Sequence, residues 1–237
     1  RPAPVPLARA RSQTRARCGH SRDRMTTTSR PLNDRKQVMP DYPSDIAFTP
    51  AVKAIQSRKG SRTSYSKMEQ RGGWQTTVTP ELEAFLADLD MCYLGTANSA
   101  GQPYIQYRGG APGLLKVIDQ RTLGFADFSG NRQYISLGNL SENPKAFIFL
   151  MDYVHSRRIK LWGKATVIEG DDRLNEKLRD PNYPGKVERV IQFEIEAWDM
   201  NCPQHIHKRF RQEIVAPVIE QLQQRVQELE AELALKS

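Results

Sequence analysis

Nowhere in the 237 residues does an apolar run approach the ~18 needed to cross a bilayer, so no membrane association is expected. Cysteine is scarce. Cys18, Cys92 and Cys202 are odd in number and widely spaced, which excludes a disulfide framework and points to a reducing, cytoplasmic setting. Acidic residues are missing from the start of the chain, where residues 1–36 carry ten Arg or Lys against only Asp23 and Asp34. The other 201 residues balance at 25 basic and 25 acidic, so the formal charge of +8 sits entirely in this tail. The folded part is neutral, and no nucleic-acid partner is expected from its charge. At 38% hydrophobic residues, the chain also has little apolar material, so part of it lies outside any core. The familiar catalytic signatures are missing too: no G-x-S-x-G, no phosphate-binding P-loop, no dinucleotide fingerprint and no H-E-x-x-H. In "NCPQHIH", Cys202, His205 and His207 are three ligand-type residues within six positions but lack a distant second pair, so no metal is expected.

What is present divides the chain into four parts. Residues 1–36, rich in Arg, Ser and Thr, read as a disordered basic tail or a processed segment. Met25 is a natural start, and a transit role for residues 1–24 would imply organellar import. Residues 37–78 are polar and broken, which predicts an extended arm with at most a short helix. Residues 79–213 begin with Thr79-Pro80, a good N-cap followed by a good first helical residue, with Leu82, Phe85, Leu86 and Leu89 on one face. Strands then dominate. "CYLGTAN" and "PYIQYRG" flank one hairpin turn, "LLKVI" and "LGFADF" another. "KAFIFLMDY", "RRIKLWGKATVIE" and "VERVIQFEIEAW" follow, with the short helix "DDRLNEKL" before the last. The fold class is therefore mainly β with flanking helices, an antiparallel barrel. In residues 214–237, Val215, Ile219, Leu222, Val226, Leu229 and Leu233 step by four and three, predicting an amphipathic helix with a heptad seam.

Cations recur at strand ends: Arg108, Lys116, Arg132 at an expected helix start, then Arg157, Arg158 and Lys160. Bringing them together costs energy unless an anion sits among them, and phosphate is the usual resident. The stretch "LGFADFSGNRQYISLGNL" has the form of a strand that breaks to wrap one. Independent solvated charges on these four separate elements are the alternative that spacing leaves open.

From about Thr79 to His205, the run "GQPYIQYRGGAPGLLKVID", "TLGFADFSGNRQYISLGNLSENPKAFIFLMDY" and "RRIKLWGKATVIE" resembles the pyridoxamine 5'-phosphate oxidase-like flavoproteins, the FMN-binding split barrels. The resemblance implies an FMN-dependent oxidoreductase acting on a small-molecule substrate, and a homodimer with flavin at its interface. It places Arg108 and Lys116 on the FMN phosphate, with Ser129, Asn131, Arg132 and Gln133 completing the cradle. Phe125, Ala126 and Asp127 would line the flavin ring edge, largely through backbone groups, and Arg158 would approach the ring from the partner subunit. Three departures stand out. Seven residues separate Arg108 from Lys116, more than in the oxidase itself, and the helix before Asn143-Pro144 is longer. The oxidase's C-terminal Arg-x-His substrate motif is replaced by "AWDMNCPQHI". Trp198, Asn201 and His205 then become the residues expected to line the flavin ring and the substrate side, with Trp198 and Asn201 as cofactor-binding residues and His205 as proton donor or orienting group. A genuine pyridoxamine phosphate oxidase and a non-catalytic flavin or haem binder, with His205 or His155 as axial ligand, remain the alternatives at this stage.

Overall fold

The structure, a computed structural model, describes residues 41–201 and 204–236. The basic tail and Cys202 lie outside the described residues.

Seven strands form one antiparallel sheet: β1 (Met91–Ala97), β2 (Pro103–Gly109), β3 (Lys116–Val117), β4 (Thr122–Phe128), β5 (Lys145–Asp152), β6 (Arg157–Ile168) and β7 (Val187–Asn201). Their order is β2-β1-β5-β6-β7-β4-β3, so β2 and β4 are not hydrogen-bonded neighbours. The sheet curls until these two strands face each other across a split, which is a split barrel. Alternate residues point inward: Cys92 and Leu94, Ile148 and Leu150, Ile159 and Leu161, Ile191, Phe193 and Ile195, Leu123 and Phe125. Helix α3 (Pro80–Ala87) caps this core with Leu82, Phe85 and Leu86. Its start is as the sequence predicts, with the Thr79 hydroxyl accepting from the Leu82 N–H at 3.3 Å.

The arm differs from expectation. Instead of an extended chain, it holds a 3-10 turn (Pro43–Ile46), α1 (Pro50–Arg58) and α2 (Arg62–Gln70). Thr49-Pro50 starts α1 by the same device that starts α3, the hydroxyl accepting from Val52 N–H at 3.3 Å. Buried Glu69 anchors the arm internally, accepting from Ser44 and Arg62. The arm then straps the outer face of β6 and β7. Trp74 stacks on Trp162 at 4.5 Å with Lys160 above both rings. Gln75 and Trp198 exchange backbone hydrogen bonds, and the Trp198 indole N–H donates to the Thr77 carbonyl at 2.8 Å.

Among the described residues three further helices follow: α4 (Ile135–Glu142), α5 (Asp172–Leu178) and α6 (Gln212–Ala234). No residue of α6 is buried, and among the described residues no helix is long and apolar enough to cross a membrane.

The pairing of β6 with β7 slips at Trp162/Gly163. A Cβ on Gly163 would run into the Glu194 carbonyl oxygen and lie 2.9 Å from the Phe193 ring. The chains meet too closely there for any side chain. Gly163→Ala is therefore expected to cost about 1–3 kcal/mol, the usual range for overpacking. Denaturant unfolding checks this: the midpoint should fall with the slope unchanged.

Candidate functional site

β2 and β4 meet through charge. Arg108 on β2 forms an ion pair with Asp127 on β4, and Arg189 on β7 approaches the same carboxylate at 3.8 Å. Asp127 and Arg189 are buried. Burial pushes the Asp127 carboxyl above the usual range, outweighing the two guanidinium groups that pull it down. Arg189 also pairs with Glu188 at 2.6 Å and lies 3.1 Å from Glu169.

Beside this cluster opens a cleft of about 240 Å³. Its walls are Tyr104, Gln106 and Arg108 from β2, residues 130–134 of the loop after β4, the first turn of α4, and Glu188 and Arg189. Three features suit it to an anion. First, α4 begins without a side-chain cap, so its N–H groups and its partial positive charge open into the cleft. Second, Arg132 and Tyr134 both sit in the left-handed region, at φ 61° and 54°, conformations that cost energy in a non-glycine residue and cluster at ligand sites. Third, the Nε of Arg108 is buried and has no hydrogen-bond partner. Arg108, Arg132 and Arg189 against Asp127 and Glu188 leave the walls at plus one. Ser136 donates to the Gln106 side chain at 2.6 Å, tying α4 to β2 across the cleft floor.

The sequence profile of the pyridoxamine 5'-phosphate oxidase family matches residues 78–202, which include every strand of this barrel. The chain belongs to the pyridoxamine 5'-phosphate oxidase family. No curated protein matches it. Among solved structures, it is similar to a putative pyridoxamine 5'-phosphate oxidase from Lactobacillus delbrueckii at 21% identity, covering 53% of this chain and 95% of that one, with a TM-score of 0.40. An FMN-binding protein from Syntrophomonas wolfei is similar at 15% identity, 62% and 97% coverage and a TM-score of 0.40. HupZ from Group A Streptococcus is similar at 16% identity, 52% and 99% coverage and a TM-score of 0.40. Likenesses this distant say nothing of what this chain binds.

Of the residues that family resemblance singles out, the cleft gathers Arg108, Asp127, Asn131, Arg132 and Gln133. Arg132 does not open a helix as the sequence predicts; α4 starts three residues later, and the Arg132 Nε donates to the Tyr134 hydroxyl at 3.2 Å. Gln133 N–H donates to the Asn131 side-chain oxygen at 3.2 Å. Asp127 presents a side chain rather than only backbone. Ser129 is exposed and donates its N–H to Lys186, outside the cleft walls. Lys116 is turned away, its ammonium donating to the Arg179 carbonyl at 3.0 Å, and with Ala126 it lines a separate small recess. Phe125 is core, and Trp198 is buried under the arm. Arg158 faces Asn201 in the β6–β7 register, with its Nε buried and unpartnered. The Asn201 side chain lies outside the described ones. His205 is exposed at φ 63°.

The sequence reading missed Arg189, Glu188, Tyr104, Gln106 and Ser136. Arg189 was detectable, because it occupies the inward phase of β7 shared by Ile191, Phe193 and Ile195, where a charge demands a buried partner.

Asp127→Ala leaves buried Arg189 and half-buried Arg108 without their shared carboxylate. Breaking such a pair from one side typically costs about 3–5 kcal/mol, and a loss of that size is expected in chemical denaturation. A loss below about 1 kcal/mol would mean that water reaches both guanidinium groups.

Proposed function

We propose that the protein is an FMN-dependent oxidoreductase of the cytoplasm, with the FMN phosphate in the cleft between β2 and α4. The observation that carries this reading is the uncapped N-terminus of α4 facing Arg108, whose buried Nε lacks a partner. The cleft residues fit the phosphate end of FMN. Arg108 and Arg132 would hold the oxygens, Gln133 and Asn131 would add polar contacts, and Asp127 with Arg189 would keep Arg108 in place. Lys116 is not among them. Bound FMN supplies hydride or electron transfer, and the protein positions it and sets its potential.

The cleft suits only part of such a cofactor. About 240 Å³ falls below the roughly 300–1,000 Å³ of pockets that enclose a whole ligand of drug size. The ring must then be covered from elsewhere, and a second copy of the chain is the natural cover. Two observations support a homodimer. Strand β2 gives the cleft one face and exposes Ile105 (69%) and Tyr107 (59%) on the other, beside Tyr93 of β1. Also, Arg189 and Asn201 lie twelve residues apart on β7, roughly 40 Å of strand. Arg158, Asn201 and His205 therefore cannot join the cleft of their own chain. If they serve a flavin, it is the partner's, and His205 would donate a proton or orient substrate there. The oxidase's Arg-x-His motif is missing from this chain, which favours a small-molecule substrate other than pyridoxamine phosphate.

The decisive measurement is FMN titration against Arg132→Ala. A charge-assisted hydrogen bond is worth about 1.5–3 kcal/mol, so the variant should bind FMN roughly 10- to 150-fold more weakly at about 1.4 kcal/mol per decade. Riboflavin, lacking the phosphate, should bind both proteins alike. Equal losses for the two ligands would move Arg132 off the phosphate.

The dimer has its own check. No residue of α6 is buried, so deletion of residues 214–237 should leave the core intact. Sedimentation of that truncated protein should find a dimer that retains FMN. A flavin-free monomer would place the site wrongly.

A further inference from the structure

Helix α6 carries a second message. Its apolar residues Ile219, Leu222, Val226 and Leu229 are between 42% and 61% exposed, and Gln, Glu and Arg surround them. A stripe this narrow suits one partner helix rather than a sheet face. Over the central stretch the heptad places β-branched Ile219 and Val226 at a and Leu222 and Leu229 at d, the combination that favours two parallel strands, with Val215 at d and Leu233 at a flanking it. The flanking charges agree. In a parallel pair, a g residue faces the e residue five positions on in the partner, which sets Arg225 against Glu230 on both sides of the seam. Antiparallel pairing with the seams fully overlapped would set Arg225 against its own counterpart and Glu232 against Val218. The root of the helix is fixed. Arg211 donates to the Asp88 carbonyl at 2.8 Å and pairs with Asp90 at 3.0 Å, so α6 leaves the barrel from a defined point.

We propose that α6 pairs in parallel and in register with α6 of a second copy of this chain, as a short two-stranded coiled coil closed by two Arg225–Glu230 ion pairs. The pairing stands on this pattern and does not rest on the flavin reading. A helix of this length pairs weakly alone, but two copies held together elsewhere present their helices at high effective concentration.

Same-residue cross-linking in the full chain tests it. Leu222→Cys and Leu229→Cys are made separately, with Cys18 and Cys202 changed to Ser. Cys92 can stay, because burial pushes its thiol up to about 12 and keeps it inert. Parallel pairing predicts that mild oxidation yields covalent dimer from both variants. Antiparallel helices with overlapped seams set 222 near 226 and 229 near 219, so failure to cross-link at either position overturns the proposal, whether the helices are antiparallel or unpaired. In the Leu229→Cys chain, Glu230→Arg should abolish most of the cross-link and adding Arg225→Glu should restore it. Arg225 also pairs within its own helix with Glu228 at 3.0 Å, so the restoration is the informative step, and its absence would overturn the ion pairs. Sedimentation of the unoxidised chain separates the two readings: a dimer that never cross-links would sink the coiled coil while leaving the barrel dimer standing.

Discussion

The molecule turns on one buried carboxylate. Asp127 ends an inward-facing run on β4 that is otherwise Leu123 and Phe125, and it meets Arg108 from across the split and Arg189 from its neighbour strand. No backbone ladder joins β2 to β4, so this ion cluster spans the gap a closed barrel would fill with hydrogen bonds. The cost of burying three charges is offset because each has an opposite partner in reach. The cluster also holds the cleft open. Arg108 is occupied on one side only, which leaves its Nε facing no protein acceptor.

The two ends of β7 divide the labour. One end carries Arg189 into the cleft, while the other pairs Asn201 with Arg158. A strand of fifteen residues is too long for both ends to serve one small ligand in one subunit. The same strand is pinned at its middle by the close approach of Gly163 to Glu194 and further along by the Trp198 contacts to the arm. Its ends are thus held at a fixed separation by contacts that touch neither of them.

The barrel was legible because turn residues at hairpin spacing set off its apolar strands and the helix at Thr79-Pro80 has a physical start signal. The arm was not read, although Thr49-Pro50 repeats that signal; the polar residues after it obscured two short helices whose flanks are tied together by the ring contacts of Phe48 with Tyr65 and Trp74. The cleft was half legible. Arg108, Asn131, Arg132 and Gln133, the residues singled out by the family resemblance, line one cleft. Lys116 does not, because β3 is only two residues long and its side chain finds the Arg179 carbonyl first. Arg189 was overlooked because an arginine on a polar-looking strand reads as solvated until the phase of its neighbours is followed.

The arm that straps β6 and β7 has a consequence for the order of synthesis. The Arg108–Asp127 pair spans 19 residues of sequence, so β2 and β4 can meet soon after both leave the ribosome. The bond from Trp198 to Thr77 spans 121. The arm emerges before every strand, yet β6 and β7, the strands it straps, are the last two to be made. Until then Trp74 and Phe48 have no barrel surface to cover, and the nascent chain carries exposed aromatic surface through most of its translation, a condition that invites chaperone capture.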